Sequence, residues 1–197
     1  MIDLTSLKNI YFGLRHGESE ANVSGIIAAG EVARSDYGLT MIGEKQVAES
    51  VTKAKKGGLL DLQTIILSSP LKRAYETAVV AAEALDIPIE NIIVDERLRE
   101  REFGIFEGQS HAAYREIIWP ADLLQKESGH GVEKTDDVKN RVLELLEELE
   151  EKYANKNILL VSHGDTLQIL ETCFKNLSPS EHRSITHVEN AEIRRYN

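Results

Sequence analysis

Two histidines, each followed directly by glycine, close apolar runs of the chain: 10–14 leads into Arg15-His16-Gly17, and 158–161 into Ser162-His163-Gly164. A histidine placed after a buried strand and before a glycine stands on a tight turn, its ring presented beyond the sheet, and Gly17 allows close backbone approach or an unusual torsion. Arg15 cannot lose its charge, and its planar fork matches phosphate or carboxylate oxygens. Arg73 falls in the first turn of a helical run after Ser69-Pro70, where backbone N–H groups and the helix dipole also favour anions. Asn22 adds a neutral donor. A single strand-end histidine would read as a turn cap, and Arg73 alone as a partner of Glu76 or Glu83. The repeated His-Gly pattern argues instead for one shared site. Imidazoles also ligate metals, but neighbouring arginines repel cations, so the pattern suits an anion and no metal is assigned.

The elements that must position these residues follow from hydrophobic periodicity. Strands are predicted over 9–14, 64–67, 92–94 and 158–161, with two short terminal strands over 184–188 and 191–196. Helices are predicted over 41–56 with Thr40 as N-cap, and from Ser69 as N-cap and Pro70 as first residue to about Leu85. Further helices are predicted over 110–118, where Trp119-Pro120 should break the run, and over 136–153 and 165–174. The stretches 24–38 and 121–135 read as loop. Alternating strands and helices imply an α/β/α sandwich with a mostly parallel sheet, whose sites lie at the carboxyl ends of strands. Arg15-His16-Gly17, the 68–73 segment and Ser162-His163-Gly164 all fall there.

Composition sets limits on function. The chain has 197 residues with Lys plus Arg 23 and Asp plus Glu 33, a formal charge of -10. That balance disfavours nucleic acid and anionic membranes as partners, so an anionic substrate needs locally concentrated positive charge. Cys173 is the only cysteine, which excludes an intrachain disulfide and a cysteine-based zinc site. It reads as core. No apolar run reaches membrane-spanning length and no secretory signal is evident, so a cytoplasmic protein is expected. His111, His130, His182 and His187 lack motif context, with His111 or His130 admitted at the edge of a substrate. The acidic 95–108 segment offers Glu96, Glu100, Glu102 and Glu107 as proton donors, and spacing does not choose among them. Glu102 is expected on the same strand face as Glu100, and Glu107 as a turn cap.

The chain resembles the histidine phosphatase superfamily, which includes the cofactor-dependent phosphoglycerate mutases and many small phosphatases. Arg15-His16-Gly17-Glu18-Ser19-Glu20-Ala21-Asn22 is similar to its opening motif, and Leu39-Thr40-Met41-Ile42-Gly43-Glu44-Lys45-Gln46 to its Leu-Thr-x-x-Gly-x-x-Gln segment. Ser69-Pro70-Leu71-Lys72-Arg73-Ala74-Tyr75-Glu76-Thr77-Ala78 resembles the second arginine motif. Leu98-Arg99-Glu100-Arg101-Glu102-Phe103-Gly104 resembles the acid motif, and Val161-Ser162-His163-Gly164 the second histidine motif. These occur in family order across most of the chain.

The resemblance implies a phosphoglycerate mutase-like fold, residues 1–197 forming one domain with a small cap-like insertion around 105–135. It implies that His16 is the nucleophile of a phosphohistidine mechanism and that Glu100 is general acid, then base. Arg15, Arg73 and His163 hold the phosphoryl oxygens, with Asn22 and Gly164 also binding. It implies no cofactor, a small phosphorylated substrate, and no fixed oligomeric state, a homodimer being compatible. The 23–38 loop, carrying Arg34, is longer than in compact relatives, and Asp165-Thr166 adds negative charge near the site. The 110–135 segment is short and offers only Arg115, Lys126 and Lys134 as cations, whereas the mutase branch carries more for a bisphosphate. A phosphomonoesterase is therefore expected ahead of a mutase, with a non-catalytic phosphoprotein-binding module a weaker third.

Overall fold

Successive side chains of a strand point to opposite faces, so a strand buried on both sides is apolar along its buried run, as β1 (Ile10–Arg15) is over 10–14 and β4 (Asn157–Ser162) over 158–161. In the computed structural model, which describes residues 2–124 and 130–197, they pair in parallel at the centre of a sheet ordered β3-β2-β4-β1-β5. β2 (Ile65–Ser68) and β3 (Ile93–Val94) continue it in parallel. β5 (Ile193–Arg195) runs antiparallel along β1.

The pleat divides the core. Phe12, Leu14, Ile66, Leu159 and Val161 face α2 (Met41–Lys56) and α3 (Lys72–Leu85), meeting Val47, Val51, Ala78 and Leu85. Tyr11, Leu67, Ile158 and Leu160 face the other way, toward Leu145, Leu146 and Leu149 of α6 (Thr135–Lys152) and Leu170 of α7 (Gly164–Phe174). The result is the expected α/β/α sandwich. No helix among the described residues is long and apolar enough to cross a membrane.

Register aligns the site. Arg15 pairs with Ser162, and Ser68 with Val161, so His16, His163 and Ser69 leave the sheet side by side at one edge. Short helix α1 (Glu20–Ser24) follows the His16 turn, capped by Ser19, whose Oγ accepts from the Asn22 N–H. Thr40 caps α2 as expected, its side chain accepting from the Gly43 N–H.

Three expectations need correction. The helix after Pro70 begins at Lys72 rather than Pro70, because Ser69 Oγ is engaged elsewhere, accepting from the Leu71 N–H at 3.2 Å and lying 2.7 Å from His163 Nε2. Trp119-Pro120 does not break the 110–118 run. α4 (His111–Ala113) widens into a π stretch (Tyr114–Ile118) and resumes as α5 (Trp119–Leu123). The Trp119 N–H reaches back to the Tyr114 carbonyl, and Pro120 enters the next first turn, where its missing N–H costs little. Finally, 184–188 is not a strand. A 3₁₀ turn spans Pro179–Ser184, and the carbonyls that would have entered a ladder are taken by arginines: Arg194 bonds the Thr186 and His187 carbonyls, Arg15 that of Val188.

Candidate active site

The strand-end residues open into a cavity of about 280 Å³. Its floor holds Arg15, His16, Arg73, Glu100 and Gly164, with Asn22 at the side. His16 is buried. Its Nδ1 lies 2.8 Å from the Gly17 carbonyl oxygen, which assigns the proton to Nδ1 and the lone pair to Nε2. Arg73 Nε donates to that Nε2 at 3.1 Å. Burial first, then the charges of Arg73 and Arg15, hold His16 well below an ordinary histidine.

His163 packs against His16 with ring centroids 5.2 Å apart, set behind the cavity wall rather than lining it. Burial and then the Arg73 charge hold it well below the usual value too. Its Nδ1 is buried without a partner, as are Arg15 Nε and Arg73 Nη1. Buried donors normally find acceptors, so these orphans converging beside one histidine fit an oxyanion. Arg15 is anchored elsewhere, Nη1 donating to the Val188 carbonyl at 2.6 Å and to His187 Nε2 at 2.9 Å. Gly164 opens α7 beneath Arg15 and presents a helix N-terminus.

Glu100 reaches the same cavity. Its Oε1 accepts from the Arg101 N–H at 3.0 Å and from the Thr166 N–H and Oγ1 at 3.2 Å each. Burial, then the Asp165 carboxylate, push Glu100 above an ordinary carboxyl despite those donors. The alternatives separate clearly. Glu96 pairs with Arg34 and Glu102 with Arg99, both facing solvent. Glu102 does not share Glu100's face, because no strand forms there. Glu107 fastens the loop as a cap, its carboxylate accepting from the Ala29 and Phe103 N–H groups.

The Leu39-to-Gln46 segment supports the His16 turn by backbone contact. A methyl group on Gly43 would lie 2.1 Å from the Glu18 carbonyl oxygen, and one on Gly17 2.5 Å from that of Gly43. Gln46 Oε1 accepts from the Glu18 N–H at 3.0 Å. Asn190, which no motif marks, donates to the His16 carbonyl at 3.0 Å and to Asn22 Oδ1 at 3.2 Å. Ser19 also donates to Asn22 Oδ1, so the amide nitrogen of Asn22 is the end left for a ligand.

The outer wall consists of Ile26, Ile27, Phe103, Tyr114 and Trp119, with Arg115 and Arg183. His111 and His187 line the cavity, whereas His130 packs edge-on against Phe106 outside it. Arg34 is tied to Glu31 and Glu96 on the surface. Lys126 lies outside the described residues. Sequence reasoning passed over Arg183 and set His187 aside as a scattered histidine; both come from the irregular C-terminal segment, where no period or motif signals a role. Cys173 is half-buried and its Sγ–H points to the Ile169 carbonyl.

A mostly parallel sheet whose strand ends gather two histidines, an unpartnered buried nitrogen on each of two arginines, and a carboxyl defines an α/β protein with a site suited to an oxyanion. Its family follows: residues 11–197 match the model of the histidine phosphatase superfamily (branch 1), and the chain belongs to that family. The chain is 35% identical over 162 residues to a bifunctional protein of Mycobacterium tuberculosis, covering 80% of this chain but 42% of that protein. Thus it spans under half the length of that relative. It is 31% identical over 178 residues to a glucosyl-3-phosphoglycerate phosphatase of Mycolicibacterium vanbaalenii, covering 83% of this chain and 73% of the other. Among solved structures, a mycobacterial glucosyl-3-phosphoglycerate phosphatase complexed with VO3 superposes with a TM-score of 0.75 at 27% identity, covering 94% of this chain and 91% of that one.

Proposed function

We propose that this protein is a metal-independent phosphomonoesterase that hydrolyses a small phosphorylated metabolite through a phosphohistidine at His16. The observation that carries the reading is the state of His16. With Nδ1 bonded to the Gly17 carbonyl, Nε2 keeps its lone pair beside Arg73. Its lowered proton affinity leaves it unprotonated at neutral pH.

In the first step the Nε2–P bond forms and the ester P–O bond breaks, while Glu100 gives its proton to the leaving oxygen. In the second, Glu100 takes a proton from water, the water oxygen attacks phosphorus, and the P–N bond breaks to release phosphate. Phosphoryl transfer demands in-line positioning and charge stabilisation on the equatorial oxygens. Arg15 and Arg73 supply the charge, and His163 Nδ1 a neutral donor. Ser69 Oγ already accepts from Leu71, so its O–H is free to donate to His163 Nε2, leaving the ring proton on Nδ1. Asn22 and the Gly164 N–H complete the phosphate cradle, and Tyr114 and Trp119 of the 105–135 insertion, whose residues 125–129 lie outside the described residues, act as a cap over the leaving group. Activity requires His16 unprotonated and Glu100 protonated. The acid limb of kcat/KM therefore falls below an ordinary histidine and the basic limb above an ordinary carboxyl.

The named phosphatases among the relatives support hydrolysis of a phosphorylated metabolite. Brief incubation with a labelled phosphate ester, quenched in alkali and mapped by peptide, should place the label on His16. A parallel assay with and without bisphosphoglycerate separates hydrolysis from phosphoryl shift. Label elsewhere, or phosphoglycerate isomerisation exceeding hydrolysis, would overturn the reading.

A further inference from the structure

Arg183 stands on the Pro179–Ser184 turn, outside every motif, yet its side chain is almost wholly buried against the cavity. Its guanidinium lies over two aromatic rings of the insertion, 4.4 Å from the Trp119 ring centroid and 4.9 Å from that of Tyr114. One nitrogen donates to the Tyr114 hydroxyl and pairs with Asp165 Oδ1, and another donates to Gln168 Oε1 at 3.1 Å. Asp165 follows the Gly164 that opens α7 and precedes Thr166, which holds Glu100. This one cation therefore joins the acid's neighbour to the aromatic wall that faces the leaving group.

We propose that Arg183 is a positioning residue that holds Asp165 beside Glu100 and clamps Tyr114 and Trp119 across the leaving-group side of the cavity. The inference rests on Glu100 being the proton donor of the proposed reaction.

A buried carboxylate next to a general acid opposes the acid's ionisation, and a cation on that carboxylate offsets the opposition. Glu100 is faced by Arg15 and His16 from the end of β1, Arg73 from α3, Arg141 from α6, Asp165 from α7, and Arg183. Asp165 has two further basic neighbours, Arg101 and the His182 imidazole, each at 3.7 Å, but Arg101 is committed to Asp122 through two hydrogen bonds of 2.6 and 2.8 Å. Arg183 is thus the nearest basic partner of Asp165 among the described residues. Cation–π stacking is strengthened in a desolvated site and is geometrically specific, so the same side chain fixes the two rings.

The test measures kcat/KM against pH with an alkyl phosphate, whose leaving oxygen requires a proton, in wild type, Arg183→Met, Arg183→Lys, Asp165→Asn and Glu100→Gln. Removing the cation raises the proton affinity of Glu100, so Arg183→Met should move the basic limb up by roughly one pH unit. Removing the anion should move it down in Asp165→Asn, and Arg183→Lys should leave it near wild type. Trp119 is the only tryptophan, so its emission reads the clamp directly. Acrylamide should quench it more readily in Arg183→Met than in wild type or Arg183→Lys. A basic limb that persists in Glu100→Gln overturns the assignment of the acid. Loss of that limb in Glu100→Gln, with Arg183→Met leaving it in place, overturns the role of Arg183 alone. Should Arg183→Met fail to fold, a limb at or above wild type in Asp165→Asn, or a large shift in Arg183→Lys, overturns that role equally. Unchanged quenching in a folded Arg183→Met refutes the clamp.

Discussion

The cavity has two ends built on different principles. At the phosphate end, residues close in sequence to strand ends are aimed by the sheet: His16 and His163 sit one residue beyond paired positions of neighbouring parallel strands. Their charged companions, Arg15 and Arg73, keep buried donors free. At the leaving-group end the wall is Phe103 from a loop and Tyr114 and Trp119 from the helical 111–123 run, held by arginines that are each paired with a carboxylate. Arg101 is bound to Asp122 and to the Glu133 carbonyl at 2.7 Å, while Arg183 is bound to Asp165 and the rings. Among the described residues, the arginines of the phosphate end therefore have no carboxylate partner, and those of the leaving-group end are paired with Asp122 and Asp165, although Arg183 Nε and Trp119 Nε1 are also buried without a partner. Where donors are free, a substitution should cost turnover more than stability. Where donors are engaged, it should cost stability first.

The sharpest break of that contrast is His16→Ala. Loss of a covalent nucleophile should reduce kcat by roughly 10⁴-fold or more, with thermal unfolding little changed. A variant with near wild-type turnover ends the phosphohistidine reading. Next, Glu100→Gln should slow single-turnover phosphoenzyme formation from an alkyl phosphate by roughly 10²–10⁴-fold. Nitrophenyl phosphate, whose leaving group departs without a proton, should lose far less in that step. Equal losses on both would make Glu100 a binding group.

At the other end, Arg101→Met should be read in urea unfolding. It strands the buried Asp122 carboxylate, and breaking a buried pair in this way costs about 3–5 kcal/mol. A loss below about 1 kcal/mol would mean that the insertion is held by its apolar contacts instead. Gly43→Ala joins the two ends, because its new methyl meets the backbone of the His16 turn. Overpacking of this kind costs about 1–3 kcal/mol, and here it should displace His16, so Tm and kcat should fall together. A fall in Tm with full turnover would separate the turn from catalysis. The smallest effect belongs to Arg34→Ala. Its partners Glu31 and Glu96 are largely exposed, so stability should change by less than about 1 kcal/mol and kcat/KM not at all. Any marked loss of activity would extend the site to the 23–38 loop.

Local signals in the chain specify the order of the parallel strands' motifs, the helix over Met41–Lys56, and the convergence of Arg15, His16, Arg73 and His163. Each depends on local signals that the chain carries in series: apolar runs of strand length, a Thr40 cap, and glycines where backbones touch. Resemblance to a family, rather than spacing, singled out Glu100 among its acidic neighbours. Packing of the layers, by contrast, separates Glu100, at the cavity beside Asp165, from Glu102 on the surface. It alone set His163 behind the cavity wall, and it carried the helix past Trp119-Pro120 by way of a π stretch. It also turned 184–188 from an expected strand into a segment whose carbonyls serve Arg15 and Arg194. Arg183, His187 and Asn190 enter the site from in and around that segment, far along the chain from every motif. Their placement depends on which buried cation finds which carbonyl, carboxylate or ring once the layers have packed, and local periodicity holds no record of those pairings.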